Sequence, residues 1–297
     1  MRRSYDARMF IVAAVPLVER PAGIAFWSPR RGLLTRGTTV SLTTDAGRTF
    51  RVVLQTHRHI LGLQAFGGHN AIVDLEHADS LRTFDGGHTW RQFRHRFNAD
   101  FATARTGLGF RRGRYELVDR FVLTRDGGQT WRRTTDPCAR AVASRVYADL
   151  VTVRLGWVIC VGQGGAGNEE KAVFRTSDGG STWRRGAEMV VVPRLRVHGG
   201  LGSYGYPQGI AFAHDGFGLI WESRGTLHVT RDGGLNWTAK PNVAQPELDF
   251  GGGAAAFPHG RGLVLLGRGD GAARLLATRD YGRSWAIVHR WPALTGG

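Results

Sequence analysis

The sequence has 297 residues, 43 of them glycine, and a net charge of +16. The high glycine content, together with nine tryptophans, argues against a disordered chain and favours many short strands joined by tight turns. The charge would ordinarily indicate a polyanionic partner, but the arginines that carry it are scattered along the whole chain instead of forming an arm, so we expect no binding to nucleic acid.

Residues 1–21 form an N-terminal segment that precedes the repeated part of the chain. Two arginines followed by the apolar run Met9–Val18 have the character of an export signal, although Asp6 and Pro16 interrupt the pattern. The alternative is a β-strand that pairs with the last repeat and closes a ring. The apolar run is too short to span a bilayer and no other stretch approaches its length, so we expect no transmembrane segment.

The first repeat consists of four short apolar stretches separated by turn residues. They are Gly23–Phe26, Gly32–Leu34, Thr39–Leu42 and Phe50–Leu54. Runs of this length, bounded by glycine and polar residues, are typical of β-strands. The same order of four stretches returns five times, over residues Ile60–Phe93, Asp100–Arg132, Leu150–Arg184, Gly209–Thr238 and Gly253–Val288.

Each repeat contains one copy of an eight-residue phrase, T-x-D-x-G-x-[TSN]-[WF], which we call the box. Its aspartates stand 40 to 54 residues apart, the length of one supersecondary unit. Glycines after the aspartate supply the positive φ angles of a tight hairpin turn, and the carboxylate accepts hydrogen bonds from its own turn. We therefore interpret the six box aspartates as structural; they are Asp45, Asp85, Asp126, Asp178, Asp232 and Asp280.

The box resembles the Asp-box, or BNR, repeat of sialidase-like and photosystem II assembly factor-like β-propellers. The resemblance implies an all-β fold in which residues 22–297 form one propeller of six four-stranded antiparallel blades, with a box between strands three and four of each. Such units cannot bury both faces alone and therefore stack radially around a channel. Two alternatives are a seventh blade, built from residues 1–21 and part of 184–208, and an open stack of hairpins.

The blade topology sorts the turns between the two ends of the ring. The boxes and the turns between strands one and two fall at one end, which we call the box face. The loops between strands two and three and the connections between blades fall at the other end, the loop-rich face, and such variable loops usually carry function. We predict that the loop-rich face binds a carboxylate, a phosphate or an acidic protein surface. The candidate residues are Arg58, Arg96, Arg145, Arg196, Tyr204, Tyr206 and Glu222.

A sialidase-like activity would need more than the repeat. The resemblance to sialidases implies a tyrosine nucleophile, an activating glutamate, an aspartate acid/base and three arginines around the substrate carboxylate, with an R-I-P phrase near the start of the chain. The sequence has no R-I-P, and no spacing selects Tyr204 or Tyr206 with Glu222 as a catalytic pair. We therefore assign no catalytic residue, metal site or cofactor. We predict a monomeric, non-enzymatic binding or assembly module for a protein or an anionic glycan, with a sialidase-like glycoside hydrolase as the alternative.

The two cysteines, Cys138 and Cys160, are predicted to form a disulfide. Cys138 follows the fourth strand of the third repeat, Cys160 closes the second strand of the fourth repeat, and both strands run toward the loop-rich face. Disulfides persist outside the cytoplasm, so this pairing predicts an extracytoplasmic protein, either secreted or held in the cell envelope. The alternative is two separate buried thiols in a cytosolic protein.

Overall fold

The computed structural model contains strands β1 to β25, which form six separate antiparallel sheets. The structure describes residues 21–77, 79–94, 97–112, 118–139, 143–165, 167–190, 196–202, 205–223, 226–240, 243, 250–267 and 271–293. Each sheet is built from consecutive strands, as expected for repeats that fold locally. Within the described ranges no helix is long and apolar enough to cross a membrane.

The six sheets are the blades of a propeller, numbered in chain order. Blade 1 contains β1 (Pro21–Phe26), β2 (Gly32–Arg36), β3 (Thr39–Thr43) and β4 (Arg51–Gln55), and blade 2 contains β5 (Ile60–Phe66), β6 (Asn70–Leu75), β7 (Ser80–Thr83) and β8 (Arg91–Phe93). Blade 3 contains β9 (Asn98–Phe101), β10 (Gly107–Arg112), β11 (Val118–Thr124) and β12 (Arg132–Arg133). Blade 4 contains β13 (Arg145–Leu150), β14 (Gly156–Gly165), β15 (Asn168–Thr176), β16 (Arg184–Val190) and β17 (Arg196–His198). Blade 5 contains β18 (Pro207–Phe212), β19 (Gly218–Glu222), β20 (Leu227–Thr230) and β21 (Thr238–Ala239), and blade 6 contains β22 (Phe250–Phe257), β23 (Arg261–Gly267), β24 (Ala273–Thr278) and β25 (Ala286–Trp291).

The first strand of each blade lines a central channel of about 870 Å³. These inner strands run from the loop-rich face to the box face, so every box lies at the end where the inner strands finish. Apolar side chains fill the space between neighbouring blades in the way sheet faces normally pack. Trp157 of blade 4, for example, stacks on Phe212 of blade 5 with ring centroids 4.0 Å apart, and its Nε1 donates to the Gly233 carbonyl at 2.8 Å.

The ring closes by packing of blade 6 against blade 1. One buried cluster contains Ile24 and Phe26 of blade 1 together with Leu263, Leu265 and Leu275 of blade 6. Both blades have four strands of their own within the described residues, so neither borrows a strand from the other. Residues 1–20 lie outside the described residues, and their predicted roles as an export signal or a closing strand stay predictions.

The predicted six-bladed architecture is confirmed, and blade 4 departs from the expected four strands. Its fifth strand, β17, pairs with β16 through Met189 and Val197. The blade also begins earlier than predicted, because Arg145 opens β13 instead of lying in a connection. The strands that the structure describes within residues 184–208 belong to blade 4 and, from Pro207, to the first strand of blade 5, and they do not start a seventh blade. The strand β14 likewise runs five residues beyond Cys160.

Candidate functional site

The box turns are closed by a repeated set of hydrogen bonds. In blade 4 the Thr176 hydroxyl donates to Asp178 at 2.8 Å and accepts the Gly180 N–H at 2.8 Å, while Asp178 accepts the Thr182 N–H at 2.9 Å. Gly179 and Gly180 have φ values of 77° and 90°, in the left-handed region that favours glycine. The hydrogen bonds from the Thr182 hydroxyl and N–H hold the pKa of Asp178 at about 2. These contacts give the aspartate a structural role within its own turn.

Each box is also tied to the turn between strands one and two of the same blade. The donor is the N–H of the residue that follows the box aspartate: Ala46 donates to the Arg30 carbonyl at 2.9 Å in blade 1, and Gly127 donates to the Arg105 carbonyl at 2.8 Å in blade 3. Equivalent bonds join the two turns in blades 2, 4, 5 and 6. The box face is therefore a ring of turns that are fixed in pairs.

A buried arginine fastens the boxes of blades 2 and 3 to each other. Arg82 is 4% exposed and donates to the carbonyls of Ala104 at 2.7 Å and Gly127 at 3.4 Å. Its guanidinium lies 4.7 to 5.3 Å from the ring centroids of four phenylalanines, which are Phe66, Phe84, Phe93 and Phe101. Burial lowers the pKa of Arg82 to about 10, so the side chain stays charged at neutral pH and its cation faces the aromatic rings.

The structure brings three of the predicted binding residues together where blade 4 meets blade 5. Arg145 pairs with Glu169, and Glu222 and Tyr206 lie on the adjoining edge of blade 5. Arg196 is in the edge strand β17, 3.3 Å from Glu188, while Arg58 is exposed in the connection between blades 1 and 2. Arg96 and Tyr204 lie outside the described residues.

Three of these residues occupy positions that the sequence did not indicate. Arg145, Arg196 and Glu222 were assigned to loops, but each belongs to a strand. For Arg145 and Arg196 the reason is that blade 4 continues on both sides of its predicted limits, whereas Glu222 is the last residue of β19 in blade 5, which runs further than predicted. Glu222 is moreover completely buried, and the loop-rich surface does not expose it.

Blade 4 projects from the loop-rich face as a long hairpin. The strands β14 and β15 remain paired up to Gly165 and Asn168, beyond the register irregularity between Val161 and Gly164. The segment that follows the blade then holds the hairpin tip in place. The Tyr206 hydroxyl accepts the Gly167 N–H at 3.0 Å, and the Gly205 N–H donates to the Gly167 carbonyl at 2.9 Å. The tip is thus a fixed feature beside the channel mouth.

A buried ionic cluster supports this hairpin from below. The Lys171 ammonium pairs with Glu222, and both side chains are fully buried. The second carboxylate oxygen of Glu222 lies 3.2 Å from His228 Nε2, which is also buried. Because a buried charge is tolerated only when it is paired and hydrogen-bonded, the cluster fixes blade 4 against blade 5.

Two carboxylates line the channel near the box face. Asp100 in β9 accepts hydrogen bonds from the Gln64 amide and the Leu150 N–H, and Asp149 in β13 accepts the Phe212 N–H. Each aspartate thus bonds the end of the next inner strand, which joins blade 3 to blade 4 and blade 4 to blade 5. Protein surrounds both carboxyl groups, and only a minor part of each residue faces the lumen.

This environment favours the neutral form of both acids. Burial raises the pKa of Asp149 to about 7. Burial and the neighbouring charge of Asp149 raise the pKa of Asp100 well above its usual range.

The sequence contains a pattern that could have revealed this pair of aspartates. When the ends of the inner strands are aligned, the residues at this position are Ala25, Ala65, Asp100, Asp149, Ala211 and Ala256.

The disulfide predicted from the sequence is present. Cys138 and Cys160 are bonded, with Cα atoms 5.6 Å apart, and both side chains are buried in the cluster between blades 3 and 4. Cys138 lies in the turn after β12, and Cys160 lies within β14. The bond therefore links the outer part of one blade to the second strand of the next.

The fold and the site define a class: the chain is a six-bladed β-propeller with a repeated aspartate turn. No protein-family model matches the sequence, and a search of curated proteins found no match to it. Similar solved structures include YCF48 bound to a D1 peptide, with 18% identity and a TM-score of 0.50 over 92% of this chain and 82% of that one. A GH74 xyloglucanase from Xanthomonas campestris shows 14% identity and a TM-score of 0.51 over 88% of this chain and 45% of that one.

A fungal lectin from Aleuria aurantia, also a six-bladed propeller, is a further similar structure. It shows 9% identity and a TM-score of 0.59 over 92% of this chain and 96% of that one. At these identities the likeness establishes the fold, and the same fold carries unrelated functions on different surfaces. The function of this chain has to be argued from its own side chains.

Proposed function

We propose that this protein is a non-enzymatic binding or assembly module of the Asp-box propeller type, working outside the cytoplasm and holding a protein or an anionic glycan at its loop-rich face. The observation that carries the proposal is the hairpin of blade 4. Its strands β14 and β15 stay paired up to Gly165 and Asn168, and Tyr206 and Gly205 hold Gly167 through hydrogen bonds of 2.9 to 3.0 Å. A rigid projection beside a channel mouth is a suitable platform for a partner, because little ordering entropy is lost on binding.

At the junction of blades 1 and 2, away from the hairpin, the loop-rich face offers both charge and apolar surface. Leu61, at the loop-rich mouth of the channel, is 69% exposed, and Arg58 is exposed three residues before it. Exposed apolar side chains flanked by polar groups mark binding surfaces more often than isolated ones do. Arg145 lines the same mouth and is held by Glu169.

Two of the side chains that a sialidase-like mechanism would use, Glu222 and Tyr206, are engaged elsewhere, which supports binding over hydrolysis, while Tyr204 lies outside the described residues. Both oxygens of Glu222 are taken up by Lys171 and His228 in a fully buried cluster. The Tyr206 hydroxyl accepts a backbone N–H instead of facing a carboxylate base. A nucleophile needs a base within hydrogen-bond reach, and Tyr206 has a different partner.

Two further observations agree with the proposal. The disulfide between Cys138 and Cys160 fits an oxidising compartment, and this is the support for an extracytoplasmic location. Among the similar structures, the YCF48 propeller was solved with a D1 peptide and the fungal lectin recognises fucose. Propellers of this shape therefore accept peptide and sugar partners, the two classes proposed here.

Site-specific photo-crosslinking tests the proposed face. A photoreactive phenylalanine analogue is placed at Arg58 or Leu61, and at Ile287 on the outer strand of blade 6 as a control, since Ile287 is also exposed, at 39%. After irradiation with the native cell envelope, we expect one saturable adduct from the two loop-rich positions and none from the control. An adduct formed only at Ile287 would contradict the proposal.

A further inference from the structure

The box face combines exposed apolar side chains with arginines on fixed turns. Phe84 in the box of blade 2, Val153 in the first turn of blade 4 and Leu235 in the box of blade 5 are 53%, 49% and 51% exposed. All three stand in turns, and each leaves about half of its side chain exposed, although one side of the Phe84 ring contacts Arg82. Because every box and every first turn lies at this end of the ring, the tips share one broad surface.

Exposed arginines lie in the same two kinds of turn around the ring. Arg30, Arg105 and Arg154 are exposed in first turns, and Arg48 and Arg125 are exposed in boxes. The box aspartates oppose this charge only in part, because each carboxylate is turned into its own hairpin and bonded by N–H and hydroxyl donors, as in the Asp178 turn. In blades 5 and 6 the boxes add the exposed Arg231, Arg279 and Arg283, so the basic residues continue around the whole box face.

We propose that the box face docks on a membrane that contains anionic lipid, with the apolar tips entering the headgroup layer and the arginines contacting the phosphates. Apolar side chains set among cations on one surface fit an interface that is apolar within and negatively charged outside. A nucleic acid would use the arginines but not the apolar tips, and the tips are spread over blades 2, 4 and 5 instead of forming the contiguous apolar centre of a protein interface. The fixed pairing of turns suits this role, because no segment has to become ordered on binding.

Docking through the box face also leaves the loop-rich face directed away from the membrane. The two surfaces are at opposite ends of the channel, so a partner held by the blade 4 hairpin would stand clear of the lipid. The membrane proposal does not rest on the proposed function. Each can fail without the other, because they depend on different residues.

The boxes themselves supply substitutions that preserve the fold. Blade 4 carries Ser177 and Ser181 at the box positions that Phe84 and Leu235 occupy in blades 2 and 5. The double variant Phe84→Ser/Leu235→Ser therefore removes two apolar tips in a turn already compatible with serine. Arg105→Glu/Arg125→Glu reverses two charges on blade 3, and Val52→Ser on the outer strand of blade 1, 57% exposed, is the matched control.

The experiment is co-sedimentation of the purified chain with phosphatidylcholine vesicles that contain or lack phosphatidylglycerol, with immobilised heparin as a polyanion that has no apolar layer. We expect binding to the vesicles with phosphatidylglycerol at least tenfold tighter than to phosphatidylcholine alone, and weaker binding as salt rises. Each double variant should weaken vesicle binding at least tenfold, while Val52→Ser should not. The serine variant should bind heparin as the parent does.

Two outcomes would overturn the membrane proposal. One is vesicle binding by the serine variant equal to that of the parent, since the arginines would then act as a general polyanion site. The other is an absence of binding to vesicles with phosphatidylglycerol when melting curves show the parent folded. Melting curves for all variants exclude unfolding as the cause of any loss.

Discussion

The channel carboxylates should make the stability of the propeller fall as pH rises toward 8. Asp149 has a folded-state pKa of about 7, against about 3.9 in an unfolded chain. When the folded pKa is raised, the contribution is fully present below the unfolded pKa and is lost as pH rises through the folded one. We therefore expect the free energy of unfolding attributable to Asp149 to decline between about pH 4 and pH 8.

The magnitude follows from the size of the pKa difference. A difference of about three pKa units corresponds to about 4 kcal/mol, since each unit is about 1.4 kcal/mol. This value is an upper limit, because Asp149 is partly open to water in the channel and titrates together with Asp100. A measured loss of about 2–4 kcal/mol would agree with the structure.

The assay is urea unfolding followed by tryptophan fluorescence at pH 5, 6, 7 and 8, on the parent and on Asp149→Asn. The amide oxygen of asparagine can still accept the Phe212 N–H, and the side chain carries no charge at any of these pH values. Because about a third of the loss has already occurred by pH 5, we expect the stability of the variant relative to the parent to rise by about 2–3 kcal/mol between pH 5 and pH 8. Asp215→Asn, which alters an exposed carboxylate that also bonds across two blades, should leave the parent's pH dependence unchanged. If the free energy of unfolding of Asp149→Asn depends on pH as steeply as that of the parent, Asp149 is not the cause of the pH dependence.

Three other predictions concern how the blades are held. Within the box of blade 2, Trp90→Ala should lower the free energy of unfolding by about 3–5 kcal/mol because the ring is 2% exposed. Asp85→Ala should lower it by about 1–2 kcal/mol, because the hydrogen bonds within the turn are lost. Thermal melts that show the reverse order would contradict these roles. Cys138→Ser/Cys160→Ser should lower the free energy of unfolding by about 3 kcal/mol, since the disulfide closes a loop with a sequence separation of 22. Alkylation of the unreduced protein should modify neither cysteine. Arg82→Lys should lower the free energy of unfolding by about 1–3 kcal/mol, because lysine lacks the planar fork that spans two carbonyls. Arg175→Lys is the control, since Arg175 also stands directly before a box but is exposed, and it should have little effect in a urea titration.

The sequence predicted the features that lie within a single repeat. The box turns, the four strands of blade 1 and the number of blades follow from local patterns, because each blade folds from consecutive residues. The pairing of Cys138 with Cys160 was also predictable, since blade topology places the two residues on neighbouring blades.

The features that were missed depend on contacts between blades. Lys171, Glu222 and His228 meet only when blades 4 and 5 pack together, and no spacing within a repeat announces such a cluster. The fifth strand β17 forms because blade 4 continues after β16, where the sequence pattern suggested a connection. Asp100 and Asp149 break an alanine pattern at the end of the inner strands, which an alignment of the six repeats could have revealed.

A turnover measurement tests the proposal that this propeller binds a partner without transforming it. Purified protein is incubated with fluorogenic sialosides and other aryl glycosides beside Glu222→Gln and Tyr206→Phe. We expect no turnover above the buffer rate from the parent or from either variant. The reason is that Glu222 is paired with Lys171 and His228, and the Tyr206 hydroxyl accepts the Gly167 N–H. If the parent turns over a substrate and either substitution abolishes that turnover, the proposed non-enzymatic function is wrong.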